Sequence, residues 1–383
     1  MKIATTVLVF CVAALLALGT VMLFSSSLTV GSSAKGWTFG TQQLIWAALG
    51  IVLGVGAALL DYRHLKKLSW LLYAVTLILL GAVFLPKPVG MYVNGAHRWI
   101  NLQFASFQPS ELAKLALIIV LAHYADHFQR QMRTLKKGML IPGAIILPVL
   151  GLIFLEPDYG TTLLLAAVSA VMLIIAGVRL RVIAPLVLIG LLAVGFSVAH
   201  NPNRLMRVMA FLHPEEHQQG RGFQQYQAKI ALGSGGLAGI GLGDGRQKHG
   251  YVPENHTDFI LSIIGEELGL IATLAVVLAF FAIAICGVTI ASRASDFFGM
   301  LLASGITFLI GLQAFINIGV VTTVLPNKGL ALPFVSYGGS SLVMMLVGVG
   351  LLLSVARHAL EPVRSARGFN PFHPGDVPST QLS

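Results

Sequence analysis

The chain has 383 residues, of which 56% are hydrophobic and only 10% charged, and its mean hydropathy is +0.83. Soluble domains carry roughly a quarter charged residues, so a soluble globule is excluded and an all-α polytopic membrane protein is expected. The formal net charge of +10 could suit nucleic acid, but the placement of the basic residues along the chain points elsewhere.

A membrane-crossing helix needs roughly 20 largely apolar residues. Runs of that kind lie near residues 4–24, 40–60, 68–85, 111–126, 138–155, 160–177, 182–199, 259–290, 297–320 and 334–355. They lack the period-two alternation of barrel strands, so about ten transmembrane helices are expected. The first run follows a single Lys2 and no small-residue cleavage site comes after it, so it reads as a span rather than a signal peptide. Cys11 and Cys286 both sit inside apolar runs and read as packing residues.

The connections alternate in charge. One set holds Lys2, Arg63, Lys66, Lys67, Arg130, Arg133, Lys136, Lys137, Arg179, Arg181, Arg293, Arg357, Arg364 and Arg367, which is fourteen of the 25 basic residues. The short connections between them hold Lys35, Lys87, Arg98, Lys114 and Lys328. The positive-inside rule makes the first set cytoplasmic, which places both termini there. The exception is a long loop, 200–257, with Arg204, Arg207, Arg221, Lys229, Arg246 and Lys248. Long loops cross regardless of charge, so it belongs on the outer face, where its cations would meet anionic headgroups rather than nucleic acid. The expected organisation is one bundle over 1–356 and a cytoplasmic, disordered tail over 357–383, rich in Pro, Gly and Ser. No internal repeat of the transporter kind is present.

With only fifteen acidic residues in the chain, those near spans are informative. Glu111 and Lys114 open the fourth span three residues apart, on one helix face. They could form a structural ion pair, or a pair that holds a base or contacts phosphate. Glu156-Pro157-Asp158-Tyr159-Gly160-Thr161 is a short outer turn whose acids could be solvated or could help hold a divalent cation. Between 233 and 245 lie seven glycines. Their partial match to a dinucleotide fingerprint lacks a preceding strand, and tight loop packing or a phosphate-cradling nest suits them better. Asp258 follows Pro253-Glu254-Asn255-His256-Thr257 at the head of the eighth span, as a helix N-cap or as a general base whose pKa is raised by partial desolvation. His249, Glu254, His256 and Asp258 could suggest metal binding, but their spacing is not diagnostic. Glu266 and Glu267 lie further into that span; adjacent residues point about 100° apart, so at least one faces the interior, in a structural or gating role.

Several of these segments, taken together, resemble the SEDS family of shape, elongation, division and sporulation proteins. They are Asn94-Gly95-Ala96-His97-Arg98-Trp99-Ile100, Gln108-Pro109-Ser110-Glu111, Pro157-Asp158-Tyr159-Gly160-Thr161, Gly233-Ser234-Gly235-Gly236, Pro253 to Ile260 continuing to Gly269, and Leu332-Pro333-Phe334-Val335-Ser336-Tyr337-Gly338-Gly339-Ser340-Ser341. Gly241-Leu242-Gly243, Gln247-Lys248, Tyr251-Val252-Pro253-Glu254 and Leu325-Pro326-Asn327-Lys328-Gly329-Leu330 are similar to the division branch, while Asp244-Gly245-Arg246, Asn255 and Leu261 depart from it.

The resemblance implies a peptidoglycan glycosyltransferase in the cell (inner) membrane, at the division septum. It would polymerise lipid II, a disaccharide-peptide on undecaprenyl pyrophosphate, alongside a class B penicillin-binding transpeptidase and other division proteins. It also implies that Asp258, Glu111 and Lys114 are the catalytic positions and that Trp99 is important. Arg98, Lys114, Arg204, Arg207, Arg221, Lys248 and Lys328 are the candidates to neutralise the departing pyrophosphate, and His256 and Ser336 complete the expected substrate-binding set. No cofactor is expected to be tightly bound, though a divalent cation, Mg or Mn, could accompany the pyrophosphate. The competing readings are a flippase for the same lipid, an elongation-type polymerase, and a non-catalytic division scaffold. The gathering of ionisable groups at the outer face favours chemistry there.

Overall fold

The structure is a computed structural model that describes residues 1–27, 35–86, 89–93, 96–102, 106–200, 202–212, 222–247, 256–327 and 329–359. Among them lie the helices α1 (Lys2–Ser27), α2 (Lys35–Leu59), α3 (Leu65–Ala82), α4 (Pro109–His127), α5 (Ile141–Leu155), α6 (Tyr159–Ile175), α7 (Leu180–Ala199), α8 (Pro202–Leu212), α9 (Phe223–Ser234), α10 (Ile260–Ser292), α11 (Phe297–Val321) and α12 (Gly339–His358). All ten apolar runs fall on helices, α1–α7 and α10–α12. Seven helices among the described residues are long and apolar enough to cross a bilayer, and α6 is a shorter apolar helix. The long loop contributes α8 and α9, which the sequence reading had left without structure.

The bundle is built around α4, α11 and α12. α11 and α12 bury most of their residues, whereas α1 buries a minority, and α4 buries every residue from Leu115 to Ala122. Helices that are apolar all round belong in the middle of a bundle. α2 packs chiefly on α12 and α10 chiefly on α11 and α1. Small residues permit the first contact: a Cβ on Gly350 would stand 2.1 Å from the Gly54 carbonyl oxygen. Close backbone approach of this kind is how helices associate where lipid removes the hydrophobic drive.

Two features depart from a plain helical bundle. Between α3 and α4 lies a three-stranded antiparallel sheet, β1 (Gly90–Val93), β2 (Ala96–Asn101) and β3 (Ser106–Phe107). It pairs Val93 with Ala96 and Ile100 with Phe107. The Asn94-Gly95 dipeptide between alternating residues is the sequence signal for such a hairpin. The second departure is that α10 is broken at Gly269 (φ 77°, ψ −173°). The expected eighth span is therefore a short buried segment, 260–268, followed by Leu270–Ser292, which is long enough to cross alone. The glycine-rich loop wraps this break. Ile240 and Gly241 N–H donate to the Glu266 and Glu267 carbonyls, and Leu270 N–H donates to the Gly236 carbonyl. The carboxylates of Glu266 and Glu267 are buried and accept from the backbone N–H of Arg246, Gln247 and Gly243, and from the Ser25 hydroxyl.

One end of the bundle carries a polar network. Lys66 pairs with Asp126 at 2.8 Å and Asp296 at 3.4 Å, and the Tyr62 hydroxyl donates to Asp296 at 2.8 Å. These groups join the starts of α3 and α11 to the end of α4. The candidate site lies at the opposite ends of α4 and α11.

Candidate active site

A cavity of about 620 Å³ opens among the start of α4, the β-sheet, the α5–α6 turn, the end of α11, Pro326, Asn327 and Gly329 to Ala331, and the start of α12. Its lining brings together Arg98, Trp99, Glu111, Lys114 and Asp258, five sequence-selected residues from three separate stretches of chain. Trp46, Gln108, Asp158, Gln313, Gly329 and Tyr337 also line it.

Pro109 sits in the first turn of α4, where its missing N–H costs nothing. This starts the helix so that Glu111 and Lys114 point inward. They form an ion pair of 2.8 Å and are 6% and 1% exposed. Lys114 Nζ also donates to Gln313 Oε1 at 3.0 Å. Glu111 Oε2 has no partner among the described residues, which leaves an acceptor on the cavity wall.

Asp258 lies in the turn before α10 and is half-buried. Phe259 takes the N-cap position, so Asp258 stands one residue outside the helix. Its backbone carbonyl accepts from Asn317 Nδ2 at 2.8 Å, and the turn is tied to the start of α12 by Tyr337 N–H donating to the His256 carbonyl at 2.9 Å. A Cβ on Gly329 would stand 2.7 Å from Asp258 Oδ2, so the backbone at Gly329 passes directly against the carboxylate.

Arg98 on β2 donates to the carbonyls of Glu156 (3.1 Å) and Pro157 (2.7 Å), which fixes the sheet to the α5–α6 turn. Asp158 N-caps α6 and accepts from Thr161 N–H at 3.1 Å and from its hydroxyl at 3.0 Å. Glu156 is fully buried, and neither carboxylate oxygen has a partner among the described residues. Burial, reinforced by Asp158 and opposed by Arg98, pushes its carboxyl up to about 8, so it holds its proton at neutral pH. A neutral Glu156 and an Asp158 already engaged by Thr161 make a poor cation cage. No group of three His, Cys, Asp or Glu with metal-binding geometry occurs among the described residues.

Other expected positions fall elsewhere. Ser336 does not line the cavity: it is buried, and its Oγ accepts from Leu332 N–H at 2.8 Å, holding its own turn. His256 also stays off the lining, its ring 6.0 Å from that of Tyr337. Arg204 and Arg207 lie on α8, but their side chains, like Arg221, Lys248 and Lys328, are outside the described residues. Gln313 and Asn317 were missed. The available signal was two uncharged polar residues one turn apart inside an apolar helix.

Residues 5–361 match the family described as "Cell cycle protein", which groups FtsW, RodA and SpoVE. The chain is 43% identical over 352 residues to a probable peptidoglycan glycosyltransferase FtsW of Trichlorobacter lovleyi, covering 91% of this chain and 92% of that one. It is 39% identical to the stage V sporulation protein E of Bacillus subtilis, covering 90% and 94%. Among solved structures, one described as coordinating polymerization and crosslinking in a peptidoglycan synthase complex matches with a TM-score of 0.74 at 30% identity, covering 93% of this chain and 98% of that one. The rod shape determining protein RodA of Thermus thermophilus matches with a TM-score of 0.69 at 29% identity, covering 93% and 97%.

Proposed function

The chain belongs to the FtsW/RodA/SpoVE family of cell cycle proteins, and on that premise we propose how its cavity works as a division-type peptidoglycan glycosyltransferase. The cavity lies on the outer face of the cell membrane, at the septum, and both termini are cytoplasmic. The substrate is lipid II, and a class B penicillin-binding transpeptidase and other division proteins act alongside.

Asp258 takes the proton of the acceptor sugar hydroxyl as that oxygen attacks the donor's anomeric carbon. The bond from that carbon to the phosphate oxygen breaks, and the pyrophosphate leaves with the electron pair. An anionic leaving group needs no general acid, so one carboxylate suffices where hydrolysis of a neutral glycoside needs two. Lys114, held by Glu111 and Gln313, and Arg98 supply positive charge near the developing anion; the loop cations Arg204, Arg207, Arg221, Lys248 and Lys328 add to it. A divalent cation, Mg or Mn, would arrive with the pyrophosphate. Trp99 offers a face for sugar stacking.

The observation that carries this reading is the convergence of Asp258, the Glu111–Lys114 pair, Arg98 and Trp99 on one cavity. A flippase would need a polar path through the bundle. Beneath Lys114, α4 is lined by Leu117, Ile118 and Leu121, all at most 2% exposed, so the described residues offer none there.

Asp258→Asn is the test, in a purified polymerisation assay on lipid II with the transpeptidase present. Folding and partner binding should survive, because the N-cap position is Phe259. Polymerisation should fall by roughly 10²–10⁴-fold, the usual contribution of a positioned base. A stable, partner-bound Asp258→Asn protein with near-normal polymerisation would remove the base.

A further inference from the structure

We infer that Gln313 and Asn317 of α11 are positioning residues that hold Asp258 at a set distance from the Glu111–Lys114 pair, an inference that rests on Asp258 being the base. The two are four residues apart and share one helix face. Each is 1% exposed. Gln313 accepts from Lys114 Nζ at 3.0 Å and donates through Nε2 to the Ala331 carbonyl at 2.9 Å. Asn317 donates through Nδ2 to the Leu330 carbonyl at 2.7 Å and to the Asp258 carbonyl at 2.8 Å. The consecutive carbonyls of Leu330 and Ala331 are thus read by consecutive turns of α11. The result is an unbroken chain of contacts from Lys114 through Gln313, Ala331, Leu330 and Asn317 to Asp258.

The chemistry of the two amides fits holding rather than reacting. Asn317 uses both hydrogens of one nitrogen, which leucine cannot supply and aspartate would turn into repulsion. Its Oδ1 is buried with no partner among the described residues, so the residue is kept for its donors at the expense of a wasted acceptor. Asn317 grips the backbone carbonyl of Asp258, which fixes the Cα from which the carboxylate projects. Gly329, next to Leu330 in the chain, lies against Asp258 Oδ2, so a shift of Leu330 and Ala331 reaches the carboxylate directly. Misplacement of a reacting group by about 1 Å can cost on the order of a hundredfold in rate.

The experiment compares Asn317→Leu, the milder Asn317→Thr, Gln313→Leu, Thr307→Val and Asp258→Asn in the full chain with its transpeptidase partner, measuring kcat per folded molecule, KM for lipid II and melting temperature. Thr307, on the same helix and not part of the cavity lining, donates to the Ala303 carbonyl and serves as control. Asn317→Leu and Gln313→Leu should lower kcat by about ten- to a hundredfold and leave KM unchanged, with Asn317→Thr, which keeps one donor, in between. Thr307→Val should keep its kcat. Unchanged kcat in folded Asn317→Leu or Asn317→Thr protein overturns the inference, as does an equal loss in Thr307→Val, which would mean that any loosening of α11 suffices. If Asp258→Asn polymerises normally, the assignment of the base has failed. If it is inactive while the α11 variants are normal, only the inference has failed.

Discussion

Glu156 shows how a single buried acid couples the site to pH. Its carboxyl is pushed up to about 8 by burial, from an ordinary value of 4.5. Between those values the folded chain holds a proton that the unfolded chain has lost, so stability is fully present below about pH 4.5 and declines as pH rises through about 8. Glu156→Gln keeps the shape of the neutral acid without the titration. It should melt at nearly the same temperature as the parent at pH 5 and at a higher temperature at pH 9, measured by thermal unfolding in detergent. An unchanged difference between the two proteins across that range would mean that Glu156 does not titrate as described. The residue matters to the site through its backbone, because its carbonyl and that of Pro157 hold Arg98. An ionised Glu156 would pull on that guanidinium and on the β2 strand that carries Trp99.

At the scale of elements, the helices were legible because a bilayer imposes a length and a polarity that few residues can disguise. The parts that were not legible are those set by contacts distant in sequence. The β1–β3 sheet is too short for periodicity to detect, although Asn94-Gly95 announces its turn. The break at Gly269 was hidden because a lone glycine inside an apolar run is compatible with a continuous helix. What makes it a break is the loop packed against it: a Cβ on Gly269 would stand 2.3 Å from the Gly239 nitrogen. Its φ of 77° with ψ of −173° is also a conformation essentially reserved for glycine. Gly269→Ala should therefore lower stability by about 1–3 kcal/mol from backbone strain alone and more from the clash. Gly143→Ala, where a Cβ meets nothing within 4 Å, should be neutral or slightly stabilising. Because 260–268 carries the Asp258 turn, Gly269→Ala should reduce polymerisation as well. A Gly269→Ala protein as stable as Gly143→Ala would refute the account of the break.

Across the whole molecule, the two ends of the bundle do different work, and this polarity was visible in the sequence before any contact was known. The basic connections that include Arg63 and Lys66 meet Asp126 and Asp296 at one end, and the cavity with Asp258 and Lys114 lies at the other. The ends of α4 and α11 that carry these groups are those expected if successive spans alternate in direction from a cytoplasmic N-terminus. What the sequence could not show is which residues converge at the cavity end: Ser336 lies in a resembling motif yet supports its own turn, while Gln313 and Asn317 lie in no such motif, yet Gln313 lines the cavity and Asn317 holds the Asp258 turn. A reporter fused after Ser383 should behave as cytoplasmic, and one inserted at Gln218, in the long loop, as external. The proposed orientation would also fix where chemistry occurs, because a cavity at outward-facing ends of α4 and α11 would meet only lipid II that had already crossed the membrane. A cytoplasmic reading at Gln218 would turn the cavity inward, and with it the proposal that glycan strands are extended on the outer face.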